Sequence, residues 1–169
     1  MIIIVTGKHG SGKSVVARQI AKQGYTLIDA DQIGHALHDL PSIRAKLVGA
    51  FGEGILIKNK VSRVNLGEAA FSSTKELEKL NKIMHPPLTT AIHLRARGNC
   101  VIDAALFSEL KLEKITDVVI EVKRPKEGTR AFFQKTLSWT HFLIINNGDI
   151  PALCSATDAL LAEMKRKAY

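Results

Sequence analysis

The stretch Gly7-Lys8-His9-Gly10-Ser11-Gly12-Lys13-Ser14 limits this chain more than any other. It follows an apolar, β-branched run, Ile2-Ile3-Ile4-Val5-Thr6, and precedes Val15-Val16-Ala17-Arg18-Gln19-Ile20-Ala21, which reads as a helix. Glycine, four residues, then Gly-Lys-Ser between a strand and a helix is the spelling of a phosphate-cradling loop. Glycines let the backbone turn tightly and bring its N–H groups to phosphate oxygens. The helix opening near Lys13 adds its positive dipole end. Lys13 is then placed to reach the β- and γ-phosphates, and the Ser14 hydroxyl to hold Mg²⁺. His9, Gly10, Ser11, Gly12 and Val15 complete the expected ATP cradle.

A chain of 169 residues suits one domain with room for an inserted lobe. At 46% hydrophobic and 5% aromatic, its core is built mainly from Ile, Leu, Val and Ala. The net charge of +8 favours anionic partners. The basic residues are spread along the chain and form no RNA-binding signature, so ATP and a phosphate-bearing small molecule rank ahead of nucleic acid. Cys100 and Cys154 lie in apolar surroundings and read as buried free thiols of a reducing compartment. Met1 to Val5 is too short for a signal peptide or membrane span. The expectation is a cytoplasmic protein with no membrane partner; the oligomeric state is left open.

Tyr25 to Asp29 reads as a second strand, and Ala30-Asp31 opens a helix through about Leu40. Asp29 and Asp31 thus sit at a strand's C-terminal end, where open parallel sheets bind ligands. Asp31 either orients and deprotonates an attacking hydroxyl or caps the helix, and the two roles are compatible. Further helices are expected at Ser42–Phe51, Val64–Phe71, Thr74–Met84 and Leu88–Arg97, with a bend at Pro86-Pro87 and a short extended excursion at Ile55–Val61 turning at Asn59. Residues 33–98 therefore form a helical lobe inserted between strands. Cys100–Ala104 is the third strand and ends beside Asp103, placed to bind Mg²⁺ directly or through water. Leu106–Ile115 reads as a helix, Asp117–Val122 as a strand, Pro125–Lys135 as a helix and Phe142–Ile145 as a strand. A last helix spans Ile150–Lys167, its basic end suiting the dipole. Five apolar strands alternating with helices give a parallel sheet covered on both faces, an α/β fold with a core at 1–32 and 99–169. The histidines have no zinc-type spacing beyond His35 and His38, which no cysteine accompanies.

Several landmarks, in order, resemble the dephospho-CoA kinase family. After the phosphate loop comes Leu27-Ile28-Asp29-Ala30-Asp31, like the family's Ile-Asp-Ala-Asp, whose second Asp is the proposed base. Phe51-Gly52, Val61-Ser62-Arg63 and Phe71 follow. His85-Pro86 matches a His-Pro, and Asp103-Ala104-Ala105-Leu106-Phe107-Ser108-Glu109 resembles Asp-x-Pro-Leu-Leu-Phe-Glu. Ile145-Asn146-Asn147-Gly148 resembles an Asp-Asn-x-Gly turn.

The resemblance implies a five-stranded parallel P-loop NTPase, nucleotide-kinase-like fold, a helical substrate lobe and a lid near 130–141. It implies transfer of the ATP γ-phosphate to the ribose 3′-hydroxyl of dephospho-CoA. Lys13 and Asp31 would be catalytic, and Arg130 and Asn147 would join the ATP set. Asp31, His35, Arg63, His85 and Glu109 would bind the acceptor, with Lys58 or Lys60 available to its pyrophosphate or pantetheine arm; Arg63 and His85 are also open to purely structural roles. Ser14 and Asp103 would hold Mg²⁺. His35 stands where the family usually has Arg, Ala105 replaces a usual Pro, and the lid is short. The remaining readings are a nucleoside or nucleotide kinase of the same fold, and a nucleotide-binding homologue with weakened catalysis.

Overall fold

The computed structural model describes residues 1–124, the backbone of 133–135, and residues 141–166. The chain divides into two compact units, Met1–Asp29 with His93–Tyr169, and Ala30–Ile92.

The first unit is built on a sheet. Its strands are β1 (Ile2–Thr6), β2 (Thr26–Asp29), β5 (Cys100–Asp103), β6 (Val118–Lys123), β7 (Phe133–Lys135) and β8 (Phe142–Ile145); β3 and β4 belong to the second unit. The spatial order is β2-β5-β1-β6-β8-β7. The first five are parallel, as their near-continuous apolar runs predict. The sixth, β7, pairs antiparallel to β8 at the edge. It falls at the end of the helix expected at Pro125–Lys135, so Phe133–Lys135 is strand; the rest of that expected helix, Arg130 included, lies outside the described residues.

The sheet alternates as pleating requires. Ile3, Val5, Val101, Ile120, Val122 and Ile144 pack with Val16, Ile20, Leu153, Leu160 and Met164 of α1 (Lys13–Ala21) and α6 (Ile150–Arg166). Ile4, Ile102 and Val119, on the opposite face, are buried as well. Each such side chain contributes about 1.5–3 kcal/mol by leaving water. Cys100 is buried at the start of β5, and burial pushes its thiol pKa up; Cys154 is only half-buried, because α6 turns that position away from its core stripe.

Two expected elements change form. Leu106–Ile115 is not an α-helix. It is a run of turns followed by a 3₁₀ segment at Leu112–Ile115, with Lys111 at φ 51°. Phe107, Leu110 and Leu112 are all buried there, a spacing that no single helix face provides, so burial overrides local propensity. In the second unit, α5 runs unbroken over Thr74–Arg95 with Pro86 and Pro87 inside it. Met84, Leu88 and Ile92 carry one buried stripe across the prolines, and the Thr90 hydroxyl donates to the Pro86 carbonyl at 3.0 Å. That stripe compensates for the two missing N–H donors.

The second unit also holds α2 (Ala30–His38), α3 (Pro41–Phe51) and α4 (Arg63–Ala70). Its hairpin, β3 (Leu56–Ile57) and β4 (Lys60–Val61), turns through Lys58 and Asn59, both at positive φ. Arg44 donates to the Asn59 carbonyl at 2.8 Å and steadies that turn. Ser62 caps α4 by accepting from the Asn65 N–H, while Asn65 donates to the Gly54 carbonyl.

Candidate active site

Gly7, Gly10 and Gly12 all have positive φ, which is what turns the chain from β1 into α1. A side chain at Gly7 would meet the Val122 carbonyl, and one at Gly12 would meet the Asn146 amide and Leu153, whereas Gly10 faces open space. Val15 and Val16 donate to the Gly12 carbonyl at 3.0 and 3.2 Å, so the helix begins at Lys13. The Lys13 and Ser14 N–H groups ahead of them are those a helix leaves without an internal acceptor, the natural partners of an anion. The Val15 side chain packs against the core, and its N–H is held by the Gly12 carbonyl.

Lys13 is only 8% exposed. Its ammonium makes no ion pair or hydrogen bond among the described residues. A buried cation is costly until an anion pairs with it, which is the service a triphosphate would perform. Ser11 is 2% exposed and its hydroxyl is likewise without a partner among the described residues. His9 is exposed at the loop tip, and Ser14 is half-buried in the first turn.

Asn146 holds this loop. It is 6% exposed, donates to the Ser11 carbonyl at 2.7 Å and accepts from Gly148 N–H at 2.8 Å. Its own N–H donates to the Lys123 carbonyl. The sequence reading named Asn147, which is exposed, and missed its neighbour. The signal was the turn sequence itself, since a buried Asn at a strand end has both an amide donor and an acceptor to place.

β1 lies centrally between β5 and β6, and the chain crosses it in passing from β5 to β6, so the crevice beyond its C-terminal end is where such sheets bind ligands. Asp103 is 7% exposed at the end of β5 and stands in register with Val5 on one side and Asp29 on the other. Paired positions in a sheet share a face, so the two carboxylates are neighbours there. Asp103 and the Ser14 hydroxyl, both on this unit, offer oxygen donors only, the chemistry that suits a hard cation such as Mg²⁺. Among the described residues no three His, Cys, Asp or Glu converge. A cavity of about 310 Å³ opens beside Thr6, with the exposed Glu109 and half-buried Glu121 in its wall. Glu121 escaped the sequence reading because it lies inside an apolar strand.

The second unit carries the other expected residues. Asp31 is exposed in the first turn of α2, and His35 and His38 follow at one and two further turns on the same face. The two imidazoles meet edge to face, ring centroids 6.2 Å apart. Burial lowers the His38 pKa, with His35 and then Arg63 adding to the effect and Asp39 opposing it. Arg63, the exposed first residue of α4, is therefore within electrostatic reach of this pair. His85 is half-buried on α5 with its Nε2 shielded from solvent; Lys58 and Lys60 are exposed on the hairpin.

Residues 1–150 match the family model for dephospho-CoA kinase. The chain belongs to the dephospho-CoA kinase family. It is 35% identical to the dephospho-CoA kinase of Dehalococcoides mccartyi over 135 residues, covering 75% of this chain and 68% of that one. With the Wolinella succinogenes enzyme of the same name it shares 27% over 192 aligned positions, covering 97% and 94%. The solved structure of dephospho-CoA kinase from Campylobacter jejuni superposes with a TM-score of 0.74 at 21% identity, covering 99% of this chain and 98% of that one, which supports the fold.

Proposed function

We propose that this protein is an ATP-dependent kinase that phosphorylates the ribose 3′-hydroxyl of dephospho-CoA, giving coenzyme A and ADP. The observation that carries the reading is Lys13, a buried cation at the start of a helix in a glycine-built loop, in a chain of this family. The loop from His9 to Val15 binds the triphosphate, with Asn147 and Arg130 completing the ATP set. Asp31 aligns the 3′-hydroxyl and takes its proton as the new O–P bond forms and the bond from the γ-phosphorus to the β-phosphate oxygen breaks. Lys13 neutralises charge gathering on the transferring group. His35, Arg63 and His85 meet the acceptor's pyrophosphate or pantetheine arm, and Glu109 is a further acceptor-binding residue. Ser14 and Asp103 would hold Mg²⁺, which would supply positive charge to screen the phosphates.

Among the described residues no helix is long and apolar enough to cross a membrane. We assign a cytoplasmic location and small-molecule partners, with no nucleic acid or membrane partner.

The short lid means that positive charge must come from elsewhere. Lys8, exposed on the loop, is one candidate; Arg130 and the Lys135 side chain, outside the described residues, are the others. At least one of the three alanine variants should lose about tenfold or more in kcat, a barrier change of about 1.4 kcal/mol. Three variants with wild-type turnover would remove that role.

The reading is tested by ADP release with dephospho-CoA, nucleosides and nucleoside monophosphates as acceptors. Dephospho-CoA should be used with the highest kcat/KM. A preference for a nucleoside or a nucleoside monophosphate would favour another kinase of this fold, and no acceptor-dependent ADP would favour a binding protein.

A further inference from the structure

We propose that the cavity beside Thr6 receives the adenine base of the acceptor, and that Glu121 and Glu109 select that base through its exocyclic amine. This rests on the function proposed above and extends it to base specificity. The cavity, about 310 Å³, is walled by Thr6, Phe107, Ser108, Glu109, Val119 and Glu121. That is the low end of ligand-pocket size, ~300–1,000 Å³, enough for one heterocycle and its sugar and too small for a whole coenzyme.

Its chemistry is one-sided. Phe107 and Val119 give apolar surface, while Glu109 and Glu121 offer carboxylate oxygens and, among the described residues, no basic side chain lines the space. In a chain of net charge +8, this is a place where a phosphate is repelled and a neutral, donor-bearing ring is welcome. The 6-amino group of adenine is such a donor.

The position is rigid and near the chemistry. Glu121 stands in register with Thr6 of β1 on one side and Leu143 of β8 on the other. It shares a face of β6 with Val119, while the alternate residues Ile120 and Val122 belong to the core against α1 and α6. Lys123 holds the Glu121 Oε2 at 3.2 Å, fixing the side chain without filling the cavity. Thr6 directly precedes Gly7, so a nucleoside seated here has its sugar beside the phosphate loop. Among the described residues the cavity is lined from β1, β6 and the turns after β5, with none from the loop after β8 where Asn147 of the proposed ATP set lies, which favours the acceptor's base over that of ATP as its occupant.

The test compares kcat/KM for 3′-dephospho-CoA with that for its hypoxanthine analogue, which presents a carbonyl where adenine has the amine. A site built around an amine donor rejects such an analogue strongly. We expect a preference for adenine of about 100-fold in the wild type, falling below about tenfold in Glu121→Gln and in Glu109→Gln, whose amides can donate to the carbonyl. The change should lie in the acceptor KM, with the KM for ATP unmoved. A wild-type preference that neither variant relaxes would overturn the proposal, as would a rise in the ATP KM alone. Should the wild type not phosphorylate dephospho-CoA, the function reading falls separately. Adenosine and inosine binding to the ADP-saturated protein then decides: adenosine tighter by about tenfold in the wild type and equal to inosine in Glu121→Gln supports the cavity, and equal binding in both proteins overturns it.

Discussion

Lys13 and Asp31 sit in opposite surroundings. Lys13 is 8% exposed and enters a loop whose turns are set by three positive-φ glycines and one buried asparagine. Asp31 lies exposed in the first turn of α2, and its proposed companions come from α4 and α5 as well. The first region is eight consecutive residues that build one cradle; the second gathers single residues from three helices. A contiguous cradle around a buried lysine is preorganised before ligand arrives, so its energy goes into holding charge. A dispersed, partly exposed set must be ordered by the acceptor itself, so under the proposed function it would decide which molecule reacts. Substitutions in the two regions should therefore fail in different ways.

The sharpest break is Lys13→Ala. It should abolish measurable transfer, on the order of 10³-fold or more in kcat, about 4 kcal/mol of barrier. Its unfolding midpoint should stay near or above that of the wild type, because a buried charge is removed. Circular dichroism melts beside ADP-release assays check both parts, and a folded variant with normal turnover would refute the loop's role. Asp31→Asn should lower kcat about 10²–10⁴-fold while the KM for ATP changes little. A variant with wild-type kcat would reduce Asp31 to a helix-start residue.

Asn146→Ala probes the cradle without touching its charge. It leaves the Ser11 carbonyl and Gly148 N–H without their partner, a cost of about 1–3 kcal/mol in stability. The KM for ATP should rise, with the acceptor KM nearly constant; the reverse pattern would mean that Asn146 serves the acceptor side.

The smallest effect belongs to the second unit and to pH. His38 has its pKa lowered on folding, so the unfolded chain binds the proton more readily. This contribution to stability is intact above the unfolded value, about pH 6.5, and is lost as pH falls through the folded value. The His38→Gln variant should lose less stability than the wild type when urea unfolding is compared at pH 7.5 and pH 5.5. Equal losses would show that the imidazole does not titrate differently on folding.

The two regions also differed in how readable they were. The phosphate loop and the five parallel strands were legible because contiguous residues specify them: β-branched runs for the strands, glycines and Lys-Ser for the loop. Leu106–Ile115 was not, because Phe107, Leu110 and Leu112 are drawn inward by tertiary burial that local pattern does not show. Pro86-Pro87 looked like a break, yet the stripe Met84, Leu88, Ile92 crosses it. Asn146 and Glu121 stand beside residues distant in sequence, Ser11 and Thr6, which strand order alone brings together.

The most direct measurement follows the phosphoryl group itself. ATP labelled at the γ-phosphorus is incubated with dephospho-CoA and the wild-type protein, and the product is mapped by mass spectrometry and phosphorus NMR. The account predicts label on the ribose 3′-oxygen, matched one for one by ADP, and none with Lys13→Ala. Label on any other position, or ADP formed without a labelled acceptor, would contradict it.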